Sequence, residues 1–433
     1  MALSDTAIAP HPLPPAPPPT SVFDLNDLRA MATGPAKLML ALLNNQRLFS
    51  LVRRFWPIFT LPFTKMVMVT RYDDVKEVLG NDAVFPVPWG EKVKILDGGP
   101  NFILGMQDGA EYRRYQKQVM QVFTRDDVGK IVAPMTARLS AEIISRSGGR
   151  LDAIEDLITR VPILICKHYY GVPIAPEEEV DFGHWTIAMS TFMFADPTGD
   201  PRLRRVGLAG GDRVRPIVDR AIAEAKTKPK PDTVLGRMID LQRSGRGEFT
   251  DDIIRTILIG MISGFVPTNT MGAGNALELL FQRSDFMAPT RAAALAGDDD
   301  RLTRCIVEAM RFHPLNPGAF RICTKDYTIA EGTSRAKKVR AGTPILPGSF
   351  SAMFDNRHVK NPFKFDPDRP ATDSLVFGSG LHWCIGFFIA TTQVTQTFKA
   401  LLVQKGLRLA KGKDGQMQRL GVFPEHMIVE FDP

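Results

Sequence analysis

The chain has 433 residues, 44% of them hydrophobic, so it is long enough to bury one large core or two ordinary ones. Its formal net charge of +7 is modest for this length, and no arginine- or lysine-rich run is present, so we expect no nucleic-acid partner. The four cysteines show no Cys-x-x-Cys spacing, which argues against a zinc site or a disulfide framework and fits a reducing cytoplasm.

The N-terminal part of the sequence contains two segments of unusual composition. Residues 1–20 are proline-rich and are predicted to form a disordered or extended tail. No secretion signal and no run of 18 uncharged apolar residues occurs, so we expect no membrane-spanning segment. Residues 38–66 mix Leu, Phe and Trp56 with three arginines, which favours a helix packed on the domain but leaves peripheral contact with a membrane surface open.

The next elements follow from hydrophobic periodicity. Residues 65–70 are apolar and partly β-branched, which predicts a strand, and 72–79 predict a short helix. Residues 85–109 are rich in Gly and Pro and are predicted to form a long loop. Residues 111–123 predict a basic helix.

Two later helices are indicated more strongly. Residues 251–281 form the longest apolar helical stretch, long enough to cross a whole domain. A second helix is predicted to open at three aspartates, 298–300, and to end before Pro314. On it, Glu308 and Arg311 are three residues apart and can pair on one face.

A glycine-bracketed loop, Phe377 to Gly386, contains one cysteine, Cys384, shortly before an apolar helical pattern. A cysteine in the first turn of a helix is favoured as a thiolate by the macrodipole and the free backbone N–H groups. Cys384 is therefore a candidate metal ligand. A small buried residue or a nucleophile would give the same local pattern.

The loop resembles the haem-binding loop of the cytochromes P450, Phe-x-x-Gly-x-His/Arg-x-Cys-x-Gly, at every specified position. The resemblance implies a mainly α fold with small β-sheets in a single haem domain, 21–433, with haem b between the long central helix and the cysteine loop. It also implies that Cys384 is the axial thiolate, that Phe377 packs beside the sulfur, and that His382 donates to a haem propionate.

Further residues receive roles through the same resemblance. Tyr112 and Gln116 fall at propionate-binding positions where His and Arg are usual, and Arg321 is expected to bind a propionate. Glu308, Arg311 and Arg369 are expected to form a buried charge network that braces the cysteine loop. The pocket wall is expected to include seven residues: Phe102, Leu104, Phe265, Val266, Leu315, Ala319 and Phe320.

The central helix departs from the family pattern Ala/Gly-Gly-x-Asp/Glu-Thr-Thr. Aligned on Ser263-Gly264, it has Val266 in place of the acid and Pro267 in place of the alcohol. Pro267 is expected to kink or break the helix, and Thr268 and Asn269 are expected to replace the missing polar groups near the iron. Alternatively, a slipped register puts Thr268 in the usual alcohol position.

The expected function is oxidation of a hydrophobic, lipid- or terpenoid-like substrate by a cytoplasmic monooxygenase that takes electrons from a separate ferredoxin or flavodoxin. A peroxide-driven peroxygenase or a hydroperoxide isomerase is the first alternative, because a peroxide already supplies protons and electrons. A non-catalytic haem-binding sensor is the second, and the oily pocket argues against it.

Overall fold

The structure is a computed structural model that describes residues 22–30, 45–62, 64–196, 199–228 and 230–433. The predicted tail, 1–20, lies outside the described residues, as do residues 38–44 of the arginine-containing segment.

The fold is mainly α with small sheets, as the sequence predicts. Its α-helices are α1 Leu25–Arg29, α2 Gln46–Phe55, α3 Tyr72–Gly80, α4 Gly90–Asp97, α5 Ala110–Val122, α6 Arg125–Asp127, α7 Ala133–Arg146, α8 Arg160–Ile165, α9 Glu179–Phe194, α10 Pro201–Thr227, α11 Val234–Arg243, α12 Asp251–Gln282, α13 Ser284–Ala296, α14 Asp299–Phe312, α15 Ser349–Ala352 and α16 Phe387–Leu402. Shorter helical turns of the π type are Val128–Val132, Ala153–Thr159 and Cys166–Tyr170. Those of the 3-10 type are Ile103–Gly105, Pro176–Glu178, Ala371–Asp373 and Gly380–His382.

The strands are short and form four small sheets in the described part of the chain. They are β1 Ile58–Thr60, β2 Val67–Val69, β3 Arg150–Asp152, β4 Arg321–Ile322, β5 Tyr327–Ile329, β6 Lys337–Val339, β7 Pro344–Pro347, β8 Arg408–Leu409, β9 Gln418–Leu420, β10 Phe423–His426 and β11 Ile428–Glu430. The largest sheet has the order β1-β2-β7-β4, with β2 parallel to β7 and the other pairs antiparallel. It places Arg321 at the start of β4.

Helix α12 runs through the main hydrophobic core and contacts α9, α10, α14 and α16. It begins where the Thr250 side chain accepts a hydrogen bond from the backbone N–H of Ile253, at 3.2 Å. The helix is long and apolar enough to span a membrane, but 78% of its most apolar window is buried inside the protein. It is therefore better explained as a core helix than as a membrane span.

Two local predictions need correction. The expected loop 85–109 contains helix α4 and the turn Ile103–Gly105. Its glycines suggested irregular backbone, but one of them, Gly98, ends α4 with a positive φ of 64°. The break expected at Pro267 is also absent, because α12 is continuous from Asp251 to Gln282. Neighbouring helices pack on several sides of α12 and stabilise it through Pro267. The prediction of a break considered only local helix propensity and not this packing.

Candidate active site

One internal cavity brings together the cysteine loop, the middle of α12 and the segment after α14. Its empty volume is about 1680 Å³, part of it open to solvent. The lining includes Phe377, His382 and Cys384 on one side and Gly264, Phe265, Thr268 and Asn269 on the other. The predicted residues Phe102, Leu104, Leu315, Ala319 and Tyr112 also line it.

Cys384 lies in the loop before α16, not in the first turn of that helix. The helix begins at Phe387, whose N–H donates to the Cys384 carbonyl at 3.2 Å. The Cys384 N–H in turn donates to the Phe377 carbonyl at 3.0 Å, which closes the loop. Burial raises the pKa of the Cys384 thiol, with a smaller opposing effect from the backbone N–H of Gly386. The helix terminus alone therefore does not produce a thiolate, which requires a bound cation at the sulfur.

The turn before the cysteine depends on Gly380. Its φ is +73°, and a Cβ atom there would lie 2.4 Å from the carbonyl oxygen of Leu79. Glycine at this position therefore makes room for helix α3.

Arg321, His382 and Asp82 meet in a buried cluster at the cavity end near the sheet. The His382 Nε2 and Asp82 Oδ1 atoms lie 3.7 Å apart, and neither has a hydrogen-bond partner among the described residues. Arg321 is 2% exposed, and its Nε atom is also unpartnered. Burial lowers the pKa of Arg321 to about 10, and burial together with the Arg321 charge lowers that of His382 to about 4. The cluster therefore holds two buried nitrogens and one carboxylate oxygen, none of them in a hydrogen bond, which is costly unless a further group binds there.

Tyr112 and Gln116 adjoin this cluster without pointing free donors into the cavity. The Tyr112 hydroxyl donates to the Leu381 carbonyl at 2.9 Å, and the Gln116 amide nitrogen lies 3.5 Å from the Tyr112 hydroxyl. Gln116 is absent from the cavity lining. Arg113 and Arg114, on the same helix, form exposed ion pairs with Asp108 and Glu248.

The structure brings Glu308, Arg311 and Arg369 together in a buried network. Arg311 is fully buried and forms two hydrogen bonds with the Glu308 carboxylate, at 2.8 and 2.9 Å. The Arg369 Nε atom lies 3.4 Å from the same carboxylate. Arg311 also donates to the carbonyls of Met353 and Pro362, so the pair joins α14 to the chain before the cysteine loop.

The cavity-facing side of α12 bears on the two possible registers of the family motif. Gly264 and Thr268, one turn apart, line the cavity together with Phe265 and Asn269. Val266 is fully buried in the core and absent from the lining, so its assignment to the pocket was wrong. The slipped register agrees with this face, since a shift of one residue rotates a helix position by about 100°. It gives Thr268 the position of the alcohol and Pro267 that of the acid.

Side-chain hydrogen bonds hold the polar groups on this face. The Thr268 hydroxyl donates to the Gly264 carbonyl at 2.5 Å, and the Asn269 amide donates to the Phe265 carbonyl at 2.7 Å. One turn earlier, Gly260 admits the Phe102 ring, since a Cβ atom there would lie 2.3 Å from a ring carbon. This contact packs the segment that contains Phe102 closely against α12.

Some lining residues differ from those expected. Phe320 is absent from the lining and packs instead against two hydrophobic clusters, because it alternates with Ala319 on the extended chain leading into β4. Residues that the sequence analysis did not single out also line the cavity: Ile103, Tyr170, Phe194, Met261, Ile306 and Met310. Most belong to apolar helical stripes that look like ordinary core, so no local signal marks them.

Comparison with known proteins identifies the family. A model of the cytochrome P450 family matches residues 298–419, which include the buried charge network and the cysteine loop. The chain therefore contains a cytochrome P450 domain. It is 24% identical over 359 residues to erythromycin C-12 hydroxylase of Saccharopolyspora erythraea, covering 81% of this chain and 84% of that one. It is 25% identical over 320 residues to a C-19 steroid 1alpha-hydroxylase of Sorangium cellulosum, covering 72% and 76%.

Solved P450 structures share the fold. P450 EryK, in a mutant form bound to erythromycin B, superposes with a TM-score of 0.72 at 21% identity, covering 91% of this chain and 98% of that one. The P450 haem domain of Tepidiphilus thermophilus gives 0.72 at 20% identity, covering 89% and 94%.

The family's cofactor, haem b, fits the residues that this P450 presents. The unpartnered nitrogens of His382 and Arg321 suit an anionic propionate, although Arg321 itself does not line the cavity, and Cys384 lines it together with His382 and could ligate the iron. Bound there, haem supplies the oxidation chemistry, and the thiolate favours cleavage of an O–O bond. A propionate beside His382 would also raise the pKa of that histidine, because it would favour the imidazolium.

Proposed function

We propose that this P450 is a monooxygenase that oxidises a neutral hydrophobic substrate above the face formed by Gly264, Phe265 and Thr268. The observation that supports this most is the composition of the cavity. None of the described residues that line it is Asp, Glu, Lys or Arg. A charged ligand would lose its hydration there without gaining a partner, so terpenoid- or sterol-like molecules fit better than small polar compounds.

The absence of acidic side chains from the described lining of the cavity also limits the delivery of protons to bound oxygen. A neighbouring acid and alcohol are the groups that the family pattern provides for it, and this chain keeps only the alcohol, Thr268, because Pro267 has neither a side-chain proton nor an N–H. We propose that oxygen-dependent turnover is poorly coupled, and that a peroxide, which brings its own protons and electrons, supports better turnover.

We propose that electrons for the oxygen-dependent route come from a separate ferredoxin or flavodoxin. The alternative of a peroxide-driven enzyme is favoured by the missing acid, whereas a non-catalytic sensor would have no need of so large an apolar cavity.

Two experiments test the proposal. Titrating hydrophobic neutral compounds and small polar compounds against the haem spectrum should give spin-state shifts with the hydrophobic set only. Shifts with the polar set alone would contradict it.

Product formed per NAD(P)H with a surrogate ferredoxin system should be low, and hydrogen peroxide or an organic hydroperoxide should raise product formation. Tight coupling without peroxide activity would contradict the relay argument.

We further propose a single haem domain over residues 21–433 in a cytoplasmic enzyme that contacts membranes peripherally through α2. Leu51, Phe55 and Trp56 are 56, 60 and 66% exposed, and Arg54 stacks on Phe55. Such apolar and basic side chains, on one short helix and at the residue that follows it, suit an anionic lipid surface. The double variant Phe55→Ser/Trp56→Ser should lose sedimentation with phosphatidylserine vesicles, and Phe363→Ser, at an exposed phenyl elsewhere, should not. Equal sedimentation of both variants would contradict this contact.

A further inference from the structure

Two adjacent buried tyrosines extend from the cavity wall, and the site described above uses neither of them. Tyr170 lines the cavity that also contains Cys384, and its side chain is fully buried. Its hydroxyl has no hydrogen-bond partner within the described residues. Burial raises its pKa well above the usual range. A buried phenol hydroxyl without a hydrogen-bond partner lowers the stability of the fold. We therefore looked for a function that would explain Tyr170 in this apolar wall.

Aromatic contacts join Tyr170 to α12 on one side and to Tyr169 on the other. The Tyr170 ring centroid lies 5.8 Å from that of Phe265, which lines the cavity, and 5.8 Å from that of Tyr169. The Phe123 ring centroid lies 5.0 Å from that of Tyr170 and 6.2 Å from that of Tyr169. The rings thus form a continuous series of van der Waals contacts away from the cavity.

Tyr169 differs from Tyr170 in having a proton acceptor. Its hydroxyl donates to the Asp127 carboxylate at 2.8 Å. The Arg237 guanidinium binds the same carboxylate oxygen, and the Arg237 side chain is 23% exposed. Burial would raise the pKa of Asp127, but the hydrogen bonds from Arg237 and Tyr169 outweigh it and hold this pKa below its usual range. Asp127 is therefore an ionised carboxylate at neutral pH.

These contacts match the requirements of tyrosine oxidation. Removing one electron from a phenol makes its O–H proton strongly acidic, so the electron leaves most readily where a carboxylate can take that proton. Tyr169 has such a carboxylate and Tyr170 does not. We propose that Tyr170 and Tyr169 form a one-electron relay, with Tyr170 as the step beside the cavity and Tyr169 as the residue that is finally oxidised.

The proposed step balances with a peracid or hydroperoxide as oxidant. A peracid takes up two electrons and two solvent protons as its O–O bond breaks, giving a carboxylic acid and water. One electron would come from the haem held by Cys384, which would end one equivalent more oxidised. Tyr169 would supply the other through Tyr170, its O–H bond would break, and the proton would form a new O–H bond on Asp127.

The relay would protect the cavity when an oxidant reacts in the absence of substrate. An oxidising equivalent that leaves through Tyr170 can no longer attack Cys384 or the apolar wall. This inference rests on the haem site of the proposed function, but it does not require turnover of any substrate.

The test uses the haem-loaded ferric protein, mixed with a peracid without substrate and freeze-quenched for EPR. Wild type should show a phenoxyl radical signal, Tyr169→Phe should lose it, and Tyr170→Phe should delay it. Tyr327→Phe is the matched control, because Tyr327 also donates to a carboxylate, Glu77 at 3.0 Å, but lies outside the cavity lining. It should keep the signal.

A second measurement on wild type avoids dependence on the variants. A spin trap added during the peracid reaction, followed by peptide mass spectrometry, should label Tyr169. Absence of any phenoxyl signal in wild type, an undiminished signal in Tyr169→Phe, or labelling only at other tyrosines would overturn the relay. Because the peracid reacts at the haem directly, failure of substrate oxidation in a separate assay would count against the proposed function alone.

Discussion

The Thr268 hydroxyl donates to the Gly264 carbonyl, 2.5 Å away and one helical turn earlier, on the side of α12 that faces the cavity. In a continuous helix the carbonyl of Gly264 also accepts the backbone N–H of Thr268. The hydroxyl is therefore held against the helix on the face that lines the cavity. This geometry makes Thr268 the hydroxyl on this face that is best placed to handle protons.

Removing that hydroxyl should lower coupling. We expect Thr268→Ala to reduce product formed per NAD(P)H by roughly tenfold to a hundredfold, since a positioned proton-transfer group typically contributes at least that much. Thr270→Ala is the matched control, because the Thr270 hydroxyl bonds to Val266 and Thr159 and lies outside the lining. Pro267→Asp, which restores the acid, should raise coupling. Equal coupling in the two threonine variants would contradict the role of Thr268.

Removing Arg311 should destabilise the protein strongly. The variant Arg311→Ala leaves the Glu308 carboxylate buried without its main partner, which costs on the order of 3 to 5 kcal/mol. We expect a lower melting temperature and little haem loading. Arg304→Ala, on the same helix, removes a side chain that is 51% exposed and paired only at 3.9 Å, and should change stability by less than about 1 kcal/mol. Similar melting temperatures for both variants would show that the Arg311 pair is dispensable.

Cys384 should determine the haem spectrum. The reduced CO complex of the wild type is expected to show the red-shifted Soret band of thiolate ligation, and Cys384→Ala should lose that band. Cys323→Ala, in which a buried thiol bonded to the Lys325 carbonyl is removed, should retain it. An unchanged band in Cys384→Ala would rule out this ligand.

His313 should make the fold sensitive to mild acid. Burial, with a smaller effect of Arg419, lowers its pKa from 6.5 to about 4, so the unfolded chain binds the proton more readily than the folded one. Stability is then fully present above about pH 6.5 and falls as the pH drops from there toward 4, by at most about 3 kcal/mol. His313→Gln should flatten this part of the curve in urea unfolding at a series of pH values. An identical slope for the variant would contradict the shift.

The sequence was most informative where a function is concentrated in a short segment. The cysteine loop, the helix with Glu308 and Arg311, and the long central helix were all predictable, because each depends on local spacing or periodicity. The boundaries of α12 differ from the prediction by a single residue at its C-terminal end.

The remaining features depend on contacts that no local pattern records. Asp82 meets Arg321 and His382 only through the packing of α3 beside the cysteine loop. Val266 was misplaced because one residue of error turns a helical side chain from the cavity into the core. Tyr170 looked like ordinary core, and only the three-dimensional structure shows that its hydroxyl is unpartnered.

The lack of Asp, Glu, Lys and Arg among the described residues that line the cavity has a consequence for the products. A substrate held there by shape alone can adopt several orientations of similar energy, because moving one methylene between apolar contacts changes binding by only about 1 to 3 kcal/mol. We therefore expect low regioselectivity with flexible substrates and higher regioselectivity with rigid polycyclic ones. Chain branching and ring fusion, more than polar substituents, should decide which carbon is oxidised.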